Sequence, residues 1–553
     1  MTNSTLDPIT LELIHNGLKS ITYESYVALK KSAYSTNIKE RHDHSVTIAD
    51  PKGRIVVQAE GSFPTHLGSM AATMEIFLQT IPREEIRDGD IFISNDPHTT
   101  GGSHLPDVNL MMPVFREGEL ICFICNLAHH ADIGGMSPGS MDGSMTEIFQ
   151  EGLRIPLIKL FDKGQLNQPL MDLILLNVRV PEERRGDYFA QVAACKLGYR
   201  RMAEHLAAYP RDLTLAAFDE IVERTHRRMQ TAIASVPDGT YSFDDVMDDD
   251  GVGTKDIPIS LKIAVSGDEM VLDFTGTSPQ VRGNINCPRN ATIGAVAYVL
   301  KALLDPNIPN NHGTQSAFTV ITEGGSLVDA RFPAAVASRN HTCQRLCDMV
   351  IGALAPALPD RVVAAANGSN TSIAIAGVDP RTGKPYIYFE TLGGGFGARA
   401  SKDGSDAVQV HMTNTSNSPI EALELEYPLL VEEYSLRENS GGAGRYRGGL
   451  GLRRVIRPLG HTASFNVVGE RFVHAPWGIF EGQSGAPGVF SILCDEKGEI
   501  ALPGKVPTRP LAPHQSISVQ TPGAGGYGDP ARRAPEARAE DLESGKFSPS
   551  AVA

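Results

Sequence analysis

Between residues 8 and 33 the apolar positions Leu11, Leu13, Ile14, Leu18 and Ile21 recur near helical spacing, which predicts one or two amphipathic helices. The period then changes. Residues 42–60, HDHSVTIADPKGRIVVQAE, read as a hairpin: two β-rich runs around the turn Asp50-Pro51-Lys52-Gly53. A helix is predicted over 67–81. GDIFISND and VNLMMPVFREGELICFICNLAHH read as strands, with Glu117 and Gly118 turning the second pair. Residues 180–235 are mostly helical in pattern, broken at YPRD. A strand-rich unit begins near Gly239 and is punctuated by helices around 291–304 and 342–355. From about 385 short strands alternate with glycine-rich loops such as LGGGFGARASKDG and NSGGAGRYRGGLGLRR.

These elements predict a mixed α and β (α+β) protein, large and multi-lobed, with a strand-rich C-terminal part. No internal repeat is visible, so it is neither a solenoid nor a simple parallel array. The pattern divides the chain at 1–178, 179–237 (helical), 238–384 (mixed), 385–530 (glycine-rich β) and 531–553. The last of these is polar and alanine-rich and reads as a loose helix or tail.

Composition narrows the function. At 553 residues the chain exceeds one ordinary core, and 41% hydrophobic with 21% charged residues is a globular balance. The net charge of −15 disfavours nucleic acid, whose binding rests on Lys and Arg neutralising phosphates. No basic leader precedes an apolar run at the N-terminus, and no stretch is long enough to span a membrane, so a cytoplasmic protein is expected. The seven cysteines are scattered, as in a reducing compartment. Cys122 and Cys125 form a C-x-x-C, but within a strand residues three apart point to opposite faces, so they read as core thiols. Cys343 and Cys347 read the same way. DDVMDDDG, residues 244–251, lacks the alternation of a calcium loop and reads as a solvated acidic turn. There is no phosphate-binding G-x-x-x-x-G-K-[ST] and no G-x-S-x-G elbow.

The candidate chemistry lies in the histidines. His42, His44, His66, His98, His104, His129 and His130 fall within one stretch, with Asp43, Asp96, Asp107 and Asp132 among them. Histidine with carboxylate is the ligand set of borderline divalent metals. His104 and Asp107, three apart in the turn of SNDPHTTGGSHLPDVNL, can face one ion. His129 ends a predicted strand and Asp43 begins another. Convergence of these strand ends would give two nitrogens and two carboxylates, with positions left for water or substrate. The same residues would also serve as caps and hydrogen-bonding groups of a polar loop, and no compact H-E-x-x-H motif fixes the spacing. Asp96 and His98 read as loop structure or pocket wall. HHADIGGMSPGSM reads as a folded loop lining a pocket.

Seven motifs in order, NIKERHDHSVTIADPKGR, NDPHTTGGSHLPDV, AHHADIGGMSPGSM, VRGNINCP, GGGFGARASKDGSDAV, GGAGRYRGGLG and TPGAGGYGDP, resemble the hydantoinase B family over about residues 6 to 535. That family includes subunits of ATP-dependent N-methylhydantoinase and caprolactamase, the C-terminal half of 5-oxoprolinase, and subunits of acetone and acetophenone carboxylases. The resemblance implies a hetero-oligomer, such as a heterotetramer, with a hydantoinase A type subunit of the actin-like ATPase kind. That partner would bind ATP and Mg and phosphorylate the oxygen of a small cyclic amide, and the chain here would complete the hydrolysis. The resemblance also implies that Asp43, His104, Asp107 and His129 hold a divalent metal, Zn or Mn. His130 and Asp132 are then candidates for orienting the ligands or moving protons. HDHSV departs from the family, where an aromatic often follows the aspartate. The alternatives are a carboxylase subunit acting on a ketone, and a scaffold that only organises the ATPase.

Overall fold

The structure, a computed structural model, describes residues 6–494 and 498–549. The first five residues and the last four of the predicted tail lie outside the described residues. Among those described, twelve α-helices and four sheets form a mixed α/β fold.

A single helix, Pro8–Ser32, opens the fold. The Asp7 side chain accepts from Thr10 N, Pro8 takes the first turn where no amide donor is needed, and Leu11, Ile14, Leu18, Ile21 and Leu29 form its buried stripe. Seven strands follow: β1 (His44–Ala49), β2 (Ile55–Gln58), β3 (Ile91–Ser94), β4 (Asp107–Arg116), β5 (Glu119–His129), β6 (Ile158–Asp162) and β7 (Gln165–Leu166). They form one antiparallel sheet in the order β2-β1-β5-β4-β3-β6-β7.

Both faces of this sheet are covered, which is why its central strands read as unbroken apolar runs. On one face lie Pro8–Ser32 and the helices Pro181–Ala208 and Arg211–Ile233, packed over Ile48, Val56, Ile121 and Ile124. On the other lies Pro64–Thr80, with Met70, Met74 and Phe77 against Phe92, Phe123 and Leu127. Cys122 belongs to the first layer and Cys125 to the second, so the C-x-x-C is split across the sheet as strand alternation requires. The helical segment predicted over 179–237 therefore shares its core with the N-terminal sheet.

The second unit is a four-stranded sheet of Thr319–Ile321, Glu269–Asp273, Lys255–Ser266 and Gly239–Asp249, covered by the helices Arg289–Leu304 and Arg339–Leu354. Its long strand Lys255–Ser266 alternates buried and exposed, as a sheet with one wet face must. Cys343 and Cys347 are buried in its core.

The third unit is a sandwich. A four-stranded sheet and a five-stranded sheet enclose a shared core that includes Tyr388, Ile456, Phe465, Phe490 and Val519. Strands Ser372–Val378 and Pro385–Thr391 belong to it, so it takes in chain that the pattern assigned to the mixed region before 385. The glycine-rich stretches pack backbone against backbone. A Cβ on Gly448 would stand 1.9 Å from the Ala524 carbonyl oxygen, so close approach requires the glycine there.

Two expectations are corrected. The acidic stretch is mostly strand, within Gly239–Asp249, and of its aspartates only Asp244 is exposed. Asp248 accepts from the backbone amides of Phe472, Val473 and His474, and Asp245 pairs with Arg345 and Arg471, both at 3.1 Å. The tail is not loose across 535–543: the helix Pro535–Glu543 is pinned by Asp541 to Arg447 at 2.9 Å and Arg533 at 2.6 Å. No helix among the described residues is long and apolar enough to cross a membrane.

Candidate metal centre

The three central strands of the first sheet end at one point. In the β4–β5 ladder Asp107 stands directly opposite His129. Asp43 precedes β1, and its carbonyl accepts from His129 N at 3.0 Å. His104 comes from the turn entering β4, where Asp107 N donates to His104 O at 3.2 Å. Ligand atoms of His104, Asp107 and His129 all lie within 4.8 Å of one another, and all three residues are buried. Asp43 lines the same cavity but is not within that tight group.

The hydrogen bonding of His104 fixes its tautomer. Nδ1 lies 3.1 Å from the carbonyl oxygen of Ala337, which can only accept, so Nδ1 carries the proton. Nε2 is then a bare lone pair. It lies 3.2 Å from Asp107 Oδ1, and both atoms are buried without a hydrogen-bond partner. With His104 neutral, two acceptors face each other, an arrangement that a shared proton or a bound cation satisfies. A ligating histidine typically donates its other ring N–H to a backbone carbonyl, as here.

The surroundings tune these groups. Burial keeps the His104 and His129 imidazoles neutral, pushing both below the ordinary value, so their lone pairs are available. Burial would raise the Asp107 carboxyl, but the Arg339 guanidinium beside it opposes burial and holds Asp107 below the usual carboxylate range. Arg339 Nη2 donates to Asp107 Oδ2 at 2.7 Å and Ser103 Oγ donates to the same oxygen at 2.6 Å, which turns Oδ1 toward His104. Burial raises the Asp43 carboxyl to about 7, against the pull of Arg41. His129 is stacked on Phe389 with ring centroids 5.3 Å apart. Asn37 Nδ2 donates to the His129 carbonyl at 2.7 Å and lies 3.1 Å from Nδ1. Arg41 in turn donates to Asn37 Oδ1 and Thr391 Oγ1.

Sequence reasoning missed several groups. His66 Nε2 lies 3.8 Å from Asp107 and 3.9 Å from Asp43. Its place in the histidine-dense stretch was a signal, but a helix, not a strand end, carries it. Arg339, Asn340, Asn370, Phe389 and Thr391 complete the wall from the second and third units. The cavity they leave is ≈20 Å³, room for about one water.

His130 and Asp132 are not brought to this cavity. Continuing the strand alternation, His130 turns away from His129, stacks on Tyr188 at 4.3 Å and lies 3.0 Å from Gln191 Oε1 through Nε2. Asp132 pairs with Arg179 at 2.9 Å and accepts from the amides of Gly134 and Arg179. Asp96 is loop structure and His98 both loop structure and the wall of a separate cavity: Asp96 accepts from the amides of His98 and Thr99, and His98 Nε2 lies 2.9 Å from Ala334 O.

The pattern of the hydantoinase B/oxoprolinase family matches residues 7–530. A protein of Pseudomonas sp. (strain NS671), named as the B component of a putative D-/L-hydantoinase, is 33% identical, over 98% of this chain and 93% of its own. The crystal structure of ATP-dependent caprolactamase from Pseudomonas jessenii superposes with a TM-score of 0.93 at 31% identity, covering 99% of this chain and 96% of that one. The nucleotide-free structure of acetone carboxylase gives 0.92 at 19% identity, covering 99% and 79%, a likeness of fold alone.

Proposed function

The chain belongs to the hydantoinase B/oxoprolinase family, and from that premise we propose that it is the metal-holding subunit of an ATP-dependent cyclic amidohydrolase that opens hydantoin, lactam or 5-oxoproline type rings. The names of its relatives, a hydantoinase component and an ATP-dependent caprolactamase, support the substrate class and the need for a second subunit. In this reading a hydantoinase A type ATPase partner binds ATP and Mg and phosphorylates the ring amide oxygen. The chain here completes the hydrolysis.

One observation carries the reading: the bare His104 Nε2 facing Asp107 Oδ1 at 3.2 Å in a buried cavity. His104, Asp107 and His129 would hold a divalent ion, Zn or Mn, with Asp43 closing the set from the neighbouring strand end. Such an ion supplies a Lewis acid that makes water nucleophilic near neutral pH. The protein's own part is positional. Arg339 and Ser103 aim the Asp107 carboxylate, Ala337 fixes the His104 tautomer, and Asn37 holds His129. His130 supports the site through its backbone, its N–H donating to Pro106 O at 2.9 Å beside the His104–Asp107 turn, and Asp132 braces the following loop through Arg179 and the Gly134 amide.

The test is elemental analysis and ring-opening of wild type and His104→Ala, assayed with the partner ATPase and ATP. Stoichiometric metal and ADP release in wild type, both lost in the folded variant, are expected. Full activity in the variant sinks the reading, and bicarbonate-dependent consumption of a ketone would replace it with a carboxylase.

A further inference from the structure

Six buried polar atoms of residues around the ≈20 Å³ cavity have no partner, two of them Nε and Nη1 of Arg339. Two more are His104 Nε2 and Asp107 Oδ1, which a cation satisfies. The other two are the side-chain oxygens of Asn340 and Asn370. Among the described residues neither amide nitrogen donates a hydrogen bond either. Two buried carboxamide oxygens therefore stand unpaired, where such groups are costly and rare.

Both are held by their backbones. Asn340 is the second residue of the helix Arg339–Leu354, whose first residue grips Asp107. Asn370 precedes the strand Ser372–Val378, and its backbone amide donates to His341 Nδ1 at 3.3 Å. In so small a cavity the carboxamides and the metal ligands are near neighbours. The walls leave room for about one water, so a ring enters only as wall residues shift.

We propose that Asn340 and Asn370 read the nitrogen of the scissile ring amide, which makes them specificity-determining residues; this rests on the cyclic-amide reading above. A carboxamide offers an acceptor and a donor side by side. In the intact ring the amide N–H donates to a side-chain oxygen. Transfer of the γ-phosphoryl group of ATP to the ring oxygen forms C–O–P, turns C–N into C=N, and releases ADP and the N–H proton. The nitrogen is then a lone pair, which a side-chain NH₂ can meet. A carboxamide follows the nitrogen through both forms without titrating, which neither a carboxylate nor an ammonium does. Methylating that nitrogen removes the hydrogen from the first form and the lone pair from the second. A ketone has no such nitrogen, so these carboxamides fit amides better than ketones.

The test is calorimetric titration of ε-caprolactam against N-methyl-ε-caprolactam, and hydantoin against 3-methylhydantoin. The proteins are wild type, Asn340→Leu and Asn370→Leu, checked for native circular dichroism and unchanged metal content. Asn→Ser variants replace any leucine variant that fails to fold. In wild type the N–H ring of at least one pair should bind about tenfold more tightly than its N-methyl partner. In the variants the N–H ring should weaken until the gap is about threefold or less. An unchanged gap in both variants, equal binding of both ring types to wild type, or no binding of any ring overturns the proposal. ADP release with the ATPase partner separates it from the functional reading. Asparagine-dependent binding without ring opening would sink the reading alone; ring opening with no asparagine dependence would sink only the proposal.

Discussion

Asp107 and His129 are direct partners across the β4–β5 ladder, so backbone pairing alone sets a carboxylate beside an imidazole. Side chains opposite one another in such a ladder lie on the same face. If this pair and His104 hold an ion, chelation should destabilise the wild type, because a ligand bound only by the folded state contributes about 2.7 kcal/mol at a hundredfold excess over its Kd. Thermal unfolding with and without a chelator should show a fall in Tm for wild type and none for His104→Ala.

Asn37 touches His129 at its carbonyl and near its ring nitrogen. Removing a group that orients a metal ligand typically weakens metal binding by about 10–100-fold. Asn37→Ala should lose metal to a competing chelator at correspondingly lower concentration, with an unchanged circular dichroism spectrum. Equal retention by both proteins would leave Asn37 a packing residue only.

Glu151 gives a pH dependence. Burial raises its carboxyl from the usual 4.5 to about 8, although the amides of Val336 and Ala337 donate to one oxygen. The folded state thus holds the proton more tightly than the unfolded state. Its contribution is complete below 4.5 and declines as pH rises through about 8. Glu151→Gln keeps an acceptor for both amides and cannot ionise. Its stability relative to wild type should rise between pH 5 and pH 8, read as the difference in denaturant midpoint.

Glu470 has the opposite sign. Lys505 at 2.8 Å and Arg345 at 3.1 Å overcome its burial and hold it at about 2. Its stabilising contribution is present above 4.5 and disappears as pH falls toward 2. Glu470→Gln leaves buried Lys505 with only Asp249 at 3.7 Å and Arg345 with Asp245 at 3.1 Å, and breaking a buried pair costs about 3–5 kcal/mol. Chemical denaturation at pH 7 should show that loss, and the difference should narrow in acid.

Cys122 and Cys125 serve as the control. They lie in opposite layers of the sheet, and burial pushes both thiols up. Cys122→Ala with Cys125→Ala should leave metal content unchanged. A drop would place the ion elsewhere.

The geometry explains what could be read beforehand. Asp43, Asp107 and His129 were legible because each sits where an apolar run starts or stops, and His104 because it lies three residues before Asp107. Arg339, Asn340, Asn370 and Phe389 reach the cavity from more than 200 residues further on, and periodicity carries no information about such contacts. Adjacency does not bring the His130 ring to the cavity: alternation sends it to the other side of His129. The acidic turn was misread because a charge run does not reveal its partners, here Arg345, Arg471 and three backbone amides.

The small cavity has a consequence in time. All four candidate ligands lie between residues 43 and 129, at the ends of neighbouring strands that are made before the opposite wall. The opposite wall, from Arg339 to Thr415, is made much later. N-terminal units generally fold first as a chain is made. The nascent protein therefore passes through a stage in which the ligand half stands open to solvent, and ion loading at that stage meets no barrier. If an ion is held there, its exchange after residues 339–415 dock requires the wall to open, so removal by a chelator should be slow.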